Sequence, residues 1–369
     1  MFDIDRISIE QQNEILLETR WVIVNELGKR KVSGAVNYLI SILAQDENGV
    51  IREEAARALC NFDNGAAVES LLETLKNEPL AEIRCAVAEG LVNFKGAEIV
   101  CALIDALQDK DCRVQRSAAR TLGIIGDSRA IEPLVRALAT GARFAQEEVL
   151  RSLKAFGGLA FSALLRRLEV ARAAHRRRIA AALSSLGADY VGQLIEALES
   201  PSASVREGVI MALGAVGDAR AVRPLIAAAR GERLKVVRAA VVSLGYYDTE
   251  ASLKTLIEAA SHPDAGIRAS AAKALCRTGN ARAVEPLISL LEDQSPLVAR
   301  SAESSLGRMG ALPVESLISK LNDEREWMRA SVIRALTLTG NSATDLLIKA
   351  LKDGDWRVRA GAARALGRI

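Results

Sequence analysis

Ile267-Arg268-Ala269-Ser270-Ala271-Ala272-Lys273-Ala274-Leu275-Cys276-Arg277-Thr278-Gly279-Asn280 decides the fold, because the chain writes this phrase again and again. Val205 to Asp218 repeats its skeleton as V-R-E-G-V-I-M-A-L-G-A-V-G-D, and Val358 to Gly367 repeats it as V-R-A-G-A-A-R-A-L-G. Aligned on the leucine, the copies set anchors at Leu59, Leu91, Leu122, Leu153, Leu183, Leu213, Leu244, Leu275, Leu306, Leu336 and Leu366. The intervals are 30 to 32 residues, and Leu27 lies another 32 upstream. A period held along a whole chain marks a repeat architecture, in which each unit buries its apolar face against its neighbours.

Each period reads as two helices. The phrase itself is the second helix, with apolar residues three and four apart along one stripe. The first helix is clearest in Arg129-Ala130-Ile131-Glu132-Pro133-Leu134, Arg220-Ala221-Val222-Arg223-Pro224-Leu225 and Arg282-Ala283-Val284-Glu285-Pro286-Leu287. Gly126, Gly157, Gly187, Gly217, Gly279, Gly310 and Gly340 stand four residues past an anchor, where the helix must stop and glycine enters the left-handed region cheaply. Asn64, Asp127, Asp218, Asn280 and Asn341 follow a terminator and suit the cap of the next helix. Pro133, Pro224 and Pro286 fall in a first turn, where a missing N–H costs least, and Pro79, Pro201 and Pro263 fall in the turn between helices.

These stretches, above all Arg113–Leu134, Val205–Leu225 and Ile267–Leu287, resemble HEAT repeats of the short-period subgroup named for phycobilisome lyases. The resemblance implies an all-α fold: a right-handed α-solenoid, or superhelix, of about eleven helical hairpins whose second helices line the concave side. Residues 33–369 read as one continuous array. Residues 1–32 read as an N-terminal capping segment, with a helix over 8–27, a capping box from Ser8 and Gln11, and Trp21, Ile23, Val24 and Leu27 covering the first hairpin.

Composition agrees. Half of the residues are hydrophobic but only 4% are aromatic, so close-packed Ala and Leu build the core rather than large rings. The five cysteines form no C-x-x-C and are odd in number, which fits reduced thiols in a cytoplasmic protein. The start of the chain lacks a signal peptide's pattern, and no apolar run approaches the ~20 residues of a membrane helix.

Charge is unevenly spread. Residues 1–110 carry 11 Lys and Arg against 19 Asp and Glu, whereas residues 140–240 carry 16 against 9. Counted from the anchor, positions −6, −5, −2 and +2 belong to the solvent face of the second helix, and −9 and −10 to its rim. From the third repeat onward these positions hold Arg113, Arg116, Arg120, Arg151, Arg177, Arg178, Arg238, Arg277, Arg300 and Arg334, together with Phe144, Tyr246, Trp327 and Trp356. Acidic residues there are fewer, namely Glu147, Glu148, Glu207 and Glu326. The arginine of the V-R pair, as in Arg52, Arg84, Arg206, Arg268, Arg329 and Arg359, reads instead as a structural ladder to acidic turn residues.

Catalytic signatures are sparse. His175 and His262 lack a second histidine or a cysteine at metal-ligand spacing, and no phosphate-binding glycine loop or nucleophile elbow occurs. No cofactor or metal site is expected. The leading expectation is a non-catalytic scaffold that holds a protein with an acidic segment in an arginine-rich groove. The sequence leaves open a nucleic-acid-binding array, handling of a bilin as the lyase resemblance implies, and a homodimer through the C-terminal end.

Overall fold

The computed structural model describes residues 9–140 and 143–369, and all regular structure within them is helical. An opening helix α1 (Ile9–Lys29) precedes eleven hairpins. They are α2 (Val36–Gln45) with α3 (Gly49–Leu59), α4 (Gly65–Asn77) with α5 (Ala81–Gly90), α6 (Ala97–Ala106) with α7 (Cys112–Ile125), and α8 (Ile131–Thr140) with α9 (Arg143–Ala155). Next come α10 (Gly158–Val170) with α11 (Ala173–Ser185), α12 (Val191–Glu196) with α13 (Ala203–Val216), and α14 (Val222–Ala229) with α15 (Leu234–Leu244). The last four are α16 (Glu250–Ala259) with α17 (Ala265–Thr278), α18 (Val284–Ser289) with α19 (Pro296–Arg308), α20 (Val314–Ser319) with α21 (Glu326–Thr339), and α22 (Thr344–Ala350) with α23 (Trp356–Leu366). The chain is thus an all-α solenoid. It divides into two compact units, residues 1–167 and 168–369.

Local chemistry sets the ends of these helices. α7 starts where the Asp111 side chain accepts the Arg113 amide and stops at Gly126 with φ 72°. α13 starts on Ser202 and stops at Gly217 with φ 74°. All the positive-φ glycines among the described residues are the seven that stand four past an anchor. Asp127, Asp218 and Asn280 each accept the amide two residues on, which opens a short 3-10 turn into the next helix. Asn341 lies inside such a turn, which has no side-chain cap. The Ser8–Gln11 capping box lies outside the described residues.

In both units the second helices pack closely on the second helices before and after them, while consecutive first helices touch sparsely. The anchors from Leu59 to Leu336 are all at most 1% exposed, each contributing about 2 kcal/mol of transfer free energy. The residue after the anchor explains the close approach. A Cβ on Gly214 would lie 2.6 Å from that of Ser243, and a Cβ on Gly245 would lie 2.9 Å from that of Ala274. The residue before the anchor then ties the layers together. Thr121, Ser152 and Ser243 donate to the carbonyls of Ala88, Ala119 and Ile210 in the preceding second helix, at 2.8, 2.7 and 3.0 Å. These hydroxyls are buried, so each bond satisfies groups that water cannot reach.

Among the described residues α1 occupies the place of a second helix. It packs on α3 with Val24 buried and Gly28 against Ala58. Of the residues read as covering that hairpin, Val24 is buried, whereas Trp21 and Ile23 are 40% and 49% exposed.

Gly214→Ala is expected to destabilise the second unit by about 1–3 kcal/mol, because a methyl there must push Ser243 back and break its bond to Ile210. Gly192→Ala, which meets nothing within 4 Å, is expected to be neutral or stabilising. Urea unfolding of the two variants, followed by far-ultraviolet circular dichroism, distinguishes them.

Candidate functional site

The arginines on the second helices fall into two classes. The first holds the solenoid together. Arg84 is 2% exposed; it donates to the Glu78 and Pro79 carbonyls at 2.7 and 2.9 Å and forms a two-pronged ion pair with Asp109 at 2.8 Å. Arg268 repeats this with the His262 and Pro263 carbonyls and Asp293, and Arg52 with the Asp46 and Glu47 carbonyls and Glu78. In each case the carbonyls belong to the turn of the same hairpin and the carboxylate to the turn of the next. Arg206 bonds the Ser200 carbonyl, and Arg329 and Arg359 bond the carbonyl pairs of 323 and 324 and of 353 and 354. Turn carbonyls left over from a helix end need such donors.

The ladder moves the protonation equilibria of its acids. Burial alone would raise the Asp109 pKa, but the Arg84 hydrogen bonds and the Asp111 amide outweigh it and hold the carboxyl below its ordinary value. Arg268 does the same for Asp293. A separate loop device is the aspartate two residues before an arginine. Asp127, Asp218 and Asp323 are pulled down to about 2 by Arg129, Arg220 and Arg325.

Among the residues singled out from the sequence, several are already engaged. Arg113 bridges Asp111 and Glu82 of the preceding hairpin, both at 2.8 Å. Arg151 pairs with Glu148 at 3.0 Å. Arg334 holds the buried Glu303 at 2.6 Å and also bonds Ser331. Arg277 stacks 4.2 Å from the Tyr246 ring centroid and donates to the Val242 carbonyl.

The second class stands open. Arg116 and Arg120 in the first unit, and Arg177, Arg238 and Arg300 in the second, are exposed and make no hydrogen bond or ion pair to any described residue. Arg178, exposed beside Arg177, has an interaction of its own and does not belong to this class. Tyr246, Trp327 and Trp356 are 56%, 51% and 61% exposed. Arg325 lies over Trp327 at 5.1 Å and Arg357 over Trp356 at 5.4 Å. The Phe144 side chain lies outside the described residues. Arg325 is a partner that the repeat columns miss; the two-residue spacing from Asp323 is the signal that places it.

In several repeats, though not at the exposed Arg178, the −5 position differs from its expected place on the solvent face. Ser117, Glu148, Ser301 and Ser331 are buried there, because the neighbouring second helix covers this side of the turn. Glu148 therefore faces the seam rather than the open surface. Glu207 pairs with Arg176 at 3.2 Å, leaving Glu147 and Glu326 as the exposed acids of those columns from the third repeat onward, while Glu82 and Glu89 are exposed in the second.

Other chemistry is structural. His262 Nδ1 accepts the Asp264 amide at 3.0 Å, and its carbonyl belongs to the arginine ladder. All five cysteines are free thiols, and burial pushes Cys60 up to about 12. Among the described residues no group of histidines, cysteines and carboxylates could hold a metal ion, and no helix is long and apolar enough to cross a membrane. A cleft of about 580 Å³ opens between hairpins around α12 and α14, lined by Glu199, Arg206, Glu232 and Arg233, and one of about 500 Å³ opens between α4 and α6. Both lie mainly on the first-helix side.

No curated protein matches the chain. Among solved structures it is similar to the karyopherin Kap121p, with TM-score 0.51 and 13% identity over 91% of this chain and 45% of that one. Kap121p bound to the extreme C-terminus of the protein phosphatase Cdc14p gives TM-score 0.51 and 13% identity, over 91% of this chain and 46% of that one. Kap121p bound to the SUMO protease Ulp1p gives the same score and identity, over 91% and 45%. The chain thus spans a little under half the length of these karyopherins, and at this identity the likeness is one of fold. HEAT-repeat models match residues 16–91, 68–154, 161–245, 235–307 and 314–369. With its hairpins, anchors and terminator glycines, the chain belongs to the HEAT-repeat family.

Proposed function

We propose that the chain is a non-catalytic protein-binding scaffold whose second-helix face receives an acidic segment of its partner. The observation that carries this reading is the division of the arginines. The ladder and loop arginines already hold carboxylates and carbonyls, whereas Arg116, Arg120, Arg177, Arg238 and Arg300 stand exposed on second helices with no described acceptor. In the first unit Arg116 and Arg120 stand four residues apart on one helix, where like charges repel, and an acidic ligand relieves that cost.

The packing supports the same face. A stack in which one row of helices is the more tightly packed bends toward that row, so within each unit the second helices form the inner side. Karyopherin Kap121p has been solved bound to the Cdc14p C-terminus and to Ulp1p, so a stack of this fold takes protein ligands. Reading the host compartment as cytoplasmic rests on the free thiols.

Substituting Arg116, Arg120, Arg177 and Arg238 by Glu tests the proposal. All four are exposed, so helicity should be unchanged. A tagged chain at native level should enrich a partner with an acidic segment, with capture falling as salt rises, and the charge-reversed chain should lose at least 90% of it. No enriched protein, or a partner that the variant retains in full, rejects the reading. Retention of single-stranded DNA or RNA in place of protein, with a steep salt dependence, would move the function to nucleic-acid binding.

A further inference from the structure

One rung of the arginine ladder lacks its acid, and a cleft opens at that rung. In the complete rungs Nη1 of the arginine takes carbonyls of its own turn, while Nε and Nη2 grip the acid of the next turn. Those acids, Glu78, Asp109 and Asp293, each stand three residues before a second helix. The same place before α15 is Gly231. Arg206, whose next turn this is, is half-buried, gives Nη1 to the Ser200 carbonyl and pairs with no acid among the described residues. Arg176, whose next turn offers only Ser200 at that place, takes Glu207 instead, and the turn after Arg329 keeps Asp353. Arg206 and Gly231 together line the cleft of about 580 Å³ beside α12 and α14, within the second unit.

We infer that this cleft binds an organic monocarboxylate with an apolar body, its carboxylate taking the place of the missing acid. The site stands apart from the open arginines of the second helices and does not depend on the scaffold reading. Nε and Nη2 of Arg206 form the two-pronged edge that matches a carboxylate. Gly231 leaves the room of a side chain beside it, since a Cβ there would meet only the Ala228 carbonyl oxygen, at 3.3 Å. Ile195, Leu198, Ile210, Pro224 and Val236 line the same cleft and offer apolar surface to the rest of the ligand. The volume suits a small molecule rather than a single ion. Charge sets the valence. Arg233 also lines the cleft, but Glu199 and Glu232 balance the two arginines. Both acids are exposed, and neither forms an ion pair with Arg206 or Arg233. They would repel a dianionic phosphate, whereas a monocarboxylate restores the single charge that the other rungs carry.

The test is isothermal titration calorimetry of the full chain with hexanoate, hexanamide, acetate and hexyl phosphate. Hexanoate should bind at least tenfold more tightly than each of the other three. Arg206→Ala should weaken it at least tenfold. Gly231→Asp should do the same with Arg206 intact, because the new carboxylate closes the rung, and should raise the urea midpoint. The φ of Gly231 lies outside the left-handed region, so the backbone accepts aspartate; if Arg206→Ala fails to fold, this variant decides alone. A free acid and the C-terminus of a partner protein share the proposed chemistry. An acetylated peptide with a free C-terminal leucine separates them: tighter binding than hexanoate assigns the carboxylate to a protein terminus, weaker binding to a free acid. No binding of hexanoate, equal binding of hexanoate and hexanamide, or full hexanoate binding by Gly231→Asp overturns the inference. So does hexyl phosphate that binds as tightly as hexanoate.

Discussion

Arg84→Ala is expected to lower the stability of the first unit by about 3–5 kcal/mol, the range for removing one partner of a buried ion pair. Four bonds disappear together. Asp109 loses both prongs of its partner, and the carbonyls of Glu78 and Pro79 lose their donor. The cavity left by a 2%-exposed side chain is small and closed, so water replaces these bonds poorly. Arg84→Ala combined with Asp109→Ala should recover part of the loss, since no uncompensated charge then remains. Arg359→Ala, which removes only exposed bonds to carbonyls, should cost less. Because repeat proteins unfold in stretches, the measurement is hydrogen exchange along α4 to α7 alongside the urea midpoint. Unchanged exchange there would mean that the ladder is ornament rather than frame.

That contrast shows what the sequence makes legible. The hairpins, their count and their ends can be read because the anchor leucine and the terminator glycine are local signals, each acting within a turn or two of its own position. The second-helix surface is harder. A helical wheel for one repeat puts position −5 on the solvent side, yet Glu148 and Ser331 are buried because the wheel ignores the next helix, 30 or so residues away. The same blindness hides the bonds from Ser152 and Ser243 to carbonyls 33 residues back. It also hides which arginines remain open. Arg113 and Arg116 look alike in sequence, but only Arg113 has Asp111 two residues before it and Glu82 one repeat before it. Arg-rich composition thus overstates the binding face until each guanidinium has been traced to its acceptor.

The second large effect falls on the anchor. Leu275→Ala is expected to cost about 2–5 kcal/mol, the sum of lost transfer free energy and an unfilled cavity. Leu275 is 0% exposed and sits where α17 meets α15 and α19. On the α15 side the seam is already at close approach, at Gly245 against Ala274, so that helix cannot move inward to fill the gap. The loss should therefore sit near the top of that range and spread to both adjacent hairpins. Leu366→Ala provides the contrast, because that anchor is only half-buried and contributes less area. In a nearest-neighbour stack, removing an interior contact weakens two interfaces, whereas Leu366 borders, among the described residues, only the α21 second helix. Hydrogen exchange should consequently rise in α15, α17 and α19 together for Leu275→Ala. A rise confined to α17 would show that the hairpins are stabilised individually and that the shared seam contributes little.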